Sequence, residues 1–196
     1  LRYRLELLES LPDNIREGIS RDLSSLDGLI DEMLVYARLD RPEPNLQLTT
    51  LAVEPWLRQR QQEWQPLMEK LQLELELPAS PQHWRGDAVL LTRAVDNLIG
   101  NARRYARQRI RIRVLADDQL ARLCIEDDGP GIEPTHYEQV FEPFMRLDPS
   151  RDRHTGGCGL GLAIVAGVMR AHGGEVVLGP SPLGGASFTL SWPQHS

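Results

Sequence analysis

The sequence predicts an α+β fold, in which a mixed, mostly antiparallel sheet carries helices on one face and is preceded by a helical hairpin. Strand-like and helical segments are mixed without strict alternation, which favours a two-layer α/β sandwich. The apolar residues of positions 1–40 instead recur at helical spacing. With 196 residues, 41% of them apolar, the chain is long enough to bury a core.

Residues 1–40 are predicted to form the helical hairpin. A shorter apolar seam begins at Leu1, and Pro12 starts a turn after it. Because a lone hairpin cannot bury its apolar seams, we expect a homodimer through residues 1–40; packing onto the rest of the same chain is the alternative. The longer seam follows one helical face: Ile19, Leu23, Leu26, Ile30, Met33 and Ala37.

Residues 41–47 are predicted to be a linker, because Pro42 and Pro44 cannot continue a helix. Residues 48–196 then form the second domain. Its predicted elements are a strand at 48–53, a helix at 55–71, a strand at 72–77, a helix at 87–105, strands at 109–115 and 119–127, a helix at 160–172, and strands at 175–178 and 186–192.

Charge and composition exclude several classes of protein. The net charge is −6, from 22 basic and 28 acidic residues, which argues against a general nucleic-acid binder. Arg109, Arg111 and Arg113 alternate with apolar residues, as on a half-buried strand with a solvated basic face. The sequence has no run of about 20 apolar residues, which a membrane-spanning helix needs. Its two cysteines are too few for a disulfide framework or a zinc finger.

Two glycine-rich segments are candidates for ligand binding. Residues 127–132, DDGPGI, follow an apolar strand, and their glycines allow close backbone approach, although a turn alone would explain them. Residues 156–161, GGCGLG, open directly into an apolar helix, whose first amides would face an anion such as phosphate. This second segment lacks the Lys and the Ser or Thr of a P-loop.

The predicted helix 87–105 carries polar residues on one face. Asn97 and Asn101 are four positions apart, so both side chains point the same way. Their amide oxygens can hold Mg²⁺, although both side chains could simply be solvated. Arg104 and Tyr105 end the helix, where a cation and a ring could meet a nucleotide.

In this order the segments resemble the sensor histidine kinases of bacterial two-component systems, whose nucleotide domain shares its fold with gyrase, Hsp90 and MutL. The segment VYARLDRP at 35–42 is similar to the end of the dimerisation hairpin, and residues 146–165 are similar to RstB-type members. The segments that look like the family's boxes are DNLIGNARRYA at 96–106 (N box), DDGPGI at 127–132 (G1), FEPF at 141–144 (F), GGCGLGL at 156–162 (G2) and GGASF at 184–188.

The resemblance implies a Bergerat-type ATP-binding fold with ATP and Mg²⁺ as cofactors. Asn101 would be the Mg²⁺ ligand, and Asp127 would accept a hydrogen bond from the adenine amino group. Residues 133–158 would form a lid. The ATP-binding residues that the resemblance implies are Asn97, Asn101, Arg104, Tyr105, Asp127, Gly129, Gly131, Ile132, Gly157, Gly159, Leu160 and Gly161.

The resemblance further implies transfer of the γ-phosphoryl group of ATP to a histidine, for relay to an aspartate of a response regulator. The family's acceptor motif, similar to HELRTPL, is absent, and none of the five histidines lies in residues 1–40. We therefore expect a cytoplasmic fragment of a longer sensor, anchored in the bacterial inner membrane.

Two other functions are weighed beside the kinase. One is a module that binds nucleotide and dimerises without kinase activity. The other is ATP hydrolysis, as in the gyrase and Hsp90 relatives, which carry a glutamate where this sequence has Asn97. Asparagine cannot accept a proton at neutral pH, which disfavours hydrolysis.

Overall fold

The computed structural model describes residues 12–41, 44–117, 119–147 and 158–194. The predicted first hairpin helix and Gly157 lie outside these residues. The helices are α1 (Asp13–Leu39), α2 (Val53–Trp64), α3 (Ala88–Tyr105) and α4 (Gly161–Ala171). The strands are β1 (Leu48–Ala52), β2 (Gln72–Glu76), β3 (His83–Asp87), β4 (Arg109–Leu115), β5 (Leu120–Asp127), β6 (Glu175–Pro180) and β7 (Ala186–Pro193).

Five strands form one mixed sheet in the order β2-β4-β5-β7-β6. Strands β2 and β4 are parallel, and the other neighbours are antiparallel. Ile112 lies opposite Ile125, which lies opposite Phe188, so apolar residues from three strands line up on one face. Strands β1 and β3 form a separate antiparallel pair. The predicted α+β fold with a mixed, mostly antiparallel sheet is confirmed.

Helices α3 and α4 pack against each other and against the apolar face of the sheet. Leu98 of α3 and Ile164 of α4 are completely buried, as are Ile110 and Ile112 of β4. Each such side chain contributes about 1.5 to 3 kcal/mol through removal from water. This core fixes α3 and the start of α4 relative to the end of β5.

The opposite face of the sheet is polar and contains a buried carboxylate. Glu126 is only 1% exposed and accepts hydrogen bonds from Arg111 at 2.9 Å and Arg113 at 2.8 Å. Arg111 also contacts Glu76 of β2. Strand β4 thus shows the predicted alternation of buried apolar residues with outward-facing arginines, and Arg111 and Arg113 also neutralise acidic neighbours on that face.

Two elements of the structure differ from the prediction. Strand β3 was not predicted; it pairs with β1 and places Trp84 between Trp56 and Trp192, with ring centroids 6.5 and 5.1 Å away. Helix α2 ends at Trp64, not near residue 71, and a single 3₁₀ turn, Gln65–Leu67, follows. Pro66 lies in that turn and has no amide to continue the α-helical hydrogen bonds.

Helix α1 meets the rest of the chain mainly through its C-terminal turns. Leu39 is 6% exposed and packs against α4, where a Cβ on Gly167 would lie 3.2 Å from the Leu39 side chain. Leu23, Leu26 and Ile30 of the predicted seam are more than half exposed. Packing onto the same chain therefore covers one end of α1, and the seam remains available for the predicted dimer.

Candidate functional site

A cleft of about 990 Å³ lies between α3, the end of β5, residues 140–147 and the start of α4. This volume is at the upper end of the range for small-molecule sites. Two further predicted site residues, Gly129 and Leu160, are buried and do not line the cleft. The predicted site residues that line it are Asn97, Asn101, Arg104, Tyr105, Asp127, Gly131, Ile132, Gly159 and Gly161.

Asp127 is the buried carboxylate of this cleft. It is 3% exposed, and its Oδ1 accepts hydrogen bonds from the amides of Gly129 at 2.8 Å and Ala186 at 3.2 Å. Burial raises the pKa of Asp127 above its ordinary value, and the two amide hydrogen bonds oppose that rise. The amides therefore fix the carboxylate at the end of β5, where it faces the cleft.

Glycines keep the surroundings of Asp127 free of side chains. A Cβ on Gly129 would lie 2.6 Å from the carbonyl oxygen of Tyr105, and one on Gly185 would lie 2.2 Å from Oδ1 of Asp127. The Gly185 amide also donates to the Asp127 carbonyl at 3.1 Å. Gly185 and Ala186 were not among the predicted site residues, although the GGASF segment that contains them was noted.

Helix α3 presents its polar face to the cleft. Its first turn is capped by Asp87, whose Oδ1 accepts from the amides of Val89 and Leu90, both at 3.1 Å. Asn97 donates to the carbonyl of Gly161 at 3.2 Å and so ties α3 to the start of α4. Asn101 is half-buried one turn further along and lines the cleft.

The donor set around Asn101 fits a magnesium ion that is held mainly by a nucleotide. Among the described residues, no group of three or more His, Cys, Asp or Glu side chains could hold a metal ion by itself. Mg²⁺ in phosphate-transfer sites takes one or two protein oxygens and completes its shell with phosphates and water. A single amide oxygen from Asn101 matches that pattern.

The glycine-rich segment meets the chain near Phe144 at Gly159. Gly159 has φ of +78°, and a Cβ there would lie 2.8 Å from the backbone of Phe144, so this position requires glycine. The Phe144 amide donates to the Gly159 carbonyl at 2.9 Å. Leu160 is fully buried, and α4 then begins at Gly161 without a side-chain cap. Amides at such a helix start favour an anion.

Charged side chains that were not predicted also line the cleft. Lys70 comes from the connection between α2 and β2, Arg146 from the chain that follows Phe144, and Glu32 from α1. The Cys158 thiol donates to the Glu32 carboxylate at 2.9 Å. Burial, followed by this contact with Glu32, raises the pKa of the Cys158 thiol to about 11.

The fold and this cleft define an ATPase-like nucleotide domain, and the chain belongs to the family described as "Histidine kinase-, DNA gyrase B-, and HSP90-like ATPase". The model of that family matches residues 86–196. This match, together with the two sensor proteins described next, confirms the resemblance to sensor histidine kinases.

Sensor protein RstB of Escherichia coli K12 is 44% identical over 193 residues, which cover 98% of this chain and 45% of RstB. Sensor histidine kinase CpxA of the same strain is 33% identical over 188 residues, which cover 91% of this chain and 39% of CpxA. The chain thus spans less than half the length of these two relatives.

The crystal structure of full-length ShkA in complex with AMPPNP matches with a TM-score of 0.75 and 28% identity, covering 93% of this chain and 38% of that one. Within the described ranges, no helix combines the length and the hydropathy that crossing a membrane requires.

Proposed function

We propose that this chain is the catalytic part of a sensor histidine kinase, which binds Mg·ATP and transfers its γ-phosphoryl group to a histidine. The observation that carries the proposal is that one cleft contains a buried carboxylate, Asp127, an asparagine on α3, Asn101, and the uncapped start of α4 at Gly161. ATP needs a polar group that recognises its base, a ligand for the Mg²⁺ ion on its phosphates and backbone amides that bind the phosphates. Asp127, Asn101 and the start of α4 match these three needs in that order.

Asp127 accepts a hydrogen bond from the adenine amino group, and its amide partners hold it in position to do so. Gly129 and Gly131 leave room for the base, and Ile132 contacts it. Tyr105 lies beside the nucleoside at the end of α3. The hydrogen bond gives preference for adenine, because guanine presents a carbonyl at the equivalent ring position.

Asn101 would hold Mg²⁺ together with the triphosphate, and the bound ion would supply positive charge beside the transferred phosphoryl group. Arg104 adds positive charge from the last turn of α3. Gly159 and Gly161 let the phosphates approach the amides at the start of α4. The resemblance adds Gly157 and the backbone of Leu160 to this phosphate-binding set. Catalysis is then mainly positioning and charge stabilisation.

The relatives support the larger context of this activity. RstB and CpxA are sensor proteins, and ShkA was solved with an ATP analogue. We infer that the phosphoryl group passes to an aspartate of a response regulator. The parent protein is a homodimer through residues 1–40, anchored in the bacterial inner membrane with this part on the cytoplasmic side. Hydrolysis has less support, because Asn97 is no base and donates to Gly161.

Calorimetric titration with Mg·ATP and Mg·GTP tests nucleotide binding. We expect binding of ATP in preference to GTP. Label transfer from γ-³²P-ATP to a histidine-bearing hairpin supplied in trans tests the kinase. ATP binding without any transfer would favour the non-catalytic binding module, and release of inorganic phosphate at a comparable rate without the hairpin would favour hydrolysis.

Replacing the metal ligand is the sharpest variant for this proposal. Asn101→Ala should lower the affinity for Mg·ATP at least about tenfold, which corresponds to about 1.4 kcal/mol, and leave the melting temperature nearly unchanged. A half-buried asparagine on a helix contributes little to stability. The same affinity in the variant and the unmodified protein, measured with Mg²⁺ present, would contradict the assignment.

A further inference from the structure

Glu32 is an acidic side chain in the nucleotide cleft that comes from outside the nucleotide domain. It lies on α1, yet it lines the same cleft as Asn101 and Gly161. Its carboxylate is half-buried and accepts the Cys158 thiol hydrogen bond at 2.9 Å. Cys158 directly precedes Gly159 in the glycine-rich segment, so α1 touches the part of the cleft proposed to receive the triphosphate.

The position of Glu32 follows from the way α1 packs. Residues three, four and seven positions apart share one helical face. Glu32 shares such a face with Val35, Tyr36 and Leu39, all of which pack against the core of the nucleotide domain. Glu32 is therefore the polar end of the docking face of α1, which we define by these four residues. The exposed seam of α1 lies on its other side.

We propose that Glu32 is an electrostatic gate on this cleft: while α1 is docked, its carboxylate lowers the affinity of the cleft for Mg·ATP. The inference rests on the proposed function, because the repelled ligand is the triphosphate. Charges in a partly buried cleft are screened less than charges on the surface. The raised pKa of the Cys158 thiol has the same origin, since burial and the neighbouring carboxylate both oppose negative charge at this position.

The gate makes nucleotide binding and the position of α1 mutually dependent. If docking of α1 weakens Mg·ATP binding, then bound Mg·ATP weakens docking of α1 by the same factor. A movement of α1 away from α4 withdraws the carboxylate and raises the affinity of the cleft. The helix that carries the dimer seam thereby controls how readily the nucleotide domain takes up its substrate.

A charge series at position 32 tests the gate in the full chain. Calorimetric titration with Mg·ATP compares the unmodified protein with Glu32→Gln and Glu32→Lys. We expect affinity to rise at each step, about fivefold for Glu32→Gln, which is the lower end of couplings between sites. The gain should shrink in high salt. Asp31→Asn is the matched control, because Asp31 is exposed on the same helix. This variant should bind Mg·ATP with the affinity of the unmodified protein.

Alkylation of Cys158 by iodoacetamide across a pH series measures the docked contact without nucleotide. Glu32→Gln should lower the apparent pKa of Cys158, and buried Cys124 serves as the unreactive internal reference. Equal or weaker Mg·ATP affinity in Glu32→Gln, or an equal gain in Asp31→Asn, overturns the gate. If the unmodified protein binds Mg·ATP and the Glu32 substitutions do not change the affinity, the gate is overturned and the proposed function stands. Absence of Mg·ATP binding in every variant overturns the proposed function, and the gate with it.

Discussion

Asp127 and its neighbour Asp128 show how adjacent carboxylates take different roles. Burial raises the pKa of Asp127, whose oxygen faces the cleft. Asp128 lies outside the cleft and accepts hydrogen bonds from the amides of Arg107 at 2.8 Å and Gln108 at 3.0 Å. Burial works against the charge of Asp128, but these amides outweigh it and lower its pKa. Asp128 therefore holds the chain between α3 and β4.

Asp127→Asn should weaken adenine nucleotides about 10- to 150-fold, because charge-assisted hydrogen bonds contribute about 1.5 to 3 kcal/mol. Discrimination against GTP should fall as well, since the Gly129 and Ala186 amides hold the oxygen of the new side chain, and its nitrogen, now turned towards the base, can donate to the carbonyl of guanine. Titration of the variant with ATP and GTP measures both effects.

Asp128→Asn is the paired variant and should act on stability. It removes a charged acceptor from two backbone amides, so the melting temperature should fall while nucleotide preference is kept. If both variants lost ATP affinity equally, or if Asp127→Asn still excluded GTP, the carboxylate that reads the base would lie elsewhere.

Gly185→Ala should disturb the same carboxylate from the opposite side. The new methyl group would overlap Oδ1 of Asp127, and backbone atoms enclose it, so the strand or the carboxylate must move. Overpacking of this kind costs about 1 to 3 kcal/mol. We expect a lower melting temperature together with weaker ATP binding. Gly179→Ala is the control, because a Cβ there meets no atom within 4 Å, and it should be close to neutral.

At the level of elements, His172 joins three parts of the nucleotide domain. Its Nε2 accepts from the Asp87 amide at 3.0 Å, and its Nδ1 lies 2.8 Å from the Val168 carbonyl. Asp87 caps α3 and accepts from the amide of Gln47, just before β1, at 3.0 Å. The neutral imidazole of His172 therefore connects the end of α4 to the start of α3, and the Asp87 carboxylate connects the start of α3 to Gln47.

This connection predicts a pH dependence of stability. Burial lowers the pKa of His172 below its ordinary value, and hydrogen bonding to Val168 and the charge of Asp87 oppose that shift. The unfolded chain then binds the proton more readily. The contribution of neutral His172 to the free energy of unfolding should be fully present above the ordinary histidine pKa of about 6.5. It should be lost as the pH falls from there through the lowered pKa of the folded protein.

Thermal melts of the unmodified protein and His172→Gln from pH 5 to 8 isolate this effect as the difference between the two curves. The decline should disappear in the variant. His83 is exposed, so His83→Gln should leave the curve unchanged. A decline that persists in His172→Gln would assign it to another group.

The elements that the sequence predicted well are those with clear periodicity. Helix α3 repeats its apolar residues at helical spacing, and β4 alternates Arg with Ile or Val, so both were predicted nearly to the residue. Strand β3 reads HWRGD and has no alternating apolar pattern. Its pairing with β1 and the contacts of Trp84 depend on distant residues, which no local pattern indicates.

For the whole molecule, the exposed seam of α1 predicts self-association. Leu23, Leu26 and Ile30 together form an exposed apolar patch on one helix face, and such patches usually mark a surface that binds another protein chain. Replacing Leu26 and Ile30 by Glu should convert a dimer to monomers in sedimentation equilibrium. Asp22→Ser changes a neighbouring exposed position and should leave association unchanged. A monomeric unmodified protein at high concentration would contradict the bundle.

The site was predictable where motifs are contiguous and missed where distant segments meet. Asn97, Asn101 and Asp127 lie in recognisable segments, and the fold brings all three to one cleft. Glu32 and Lys70 could not be predicted, because their place in the cleft depends on how α1 and the α2–β2 connection pack. That packing is set by long-range contacts such as Leu39 against Gly167.

The order of the sheet leaves β2 and β6 at its two edges. An edge strand is a template for aggregation, since its unpaired amides and carbonyls can join another sheet. Here β2 carries Glu74 and Glu76, and β6 ends at Pro180, which has no amide to donate. These charges and this proline therefore oppose the joining of two copies through their sheet edges, even where the copies are concentrated.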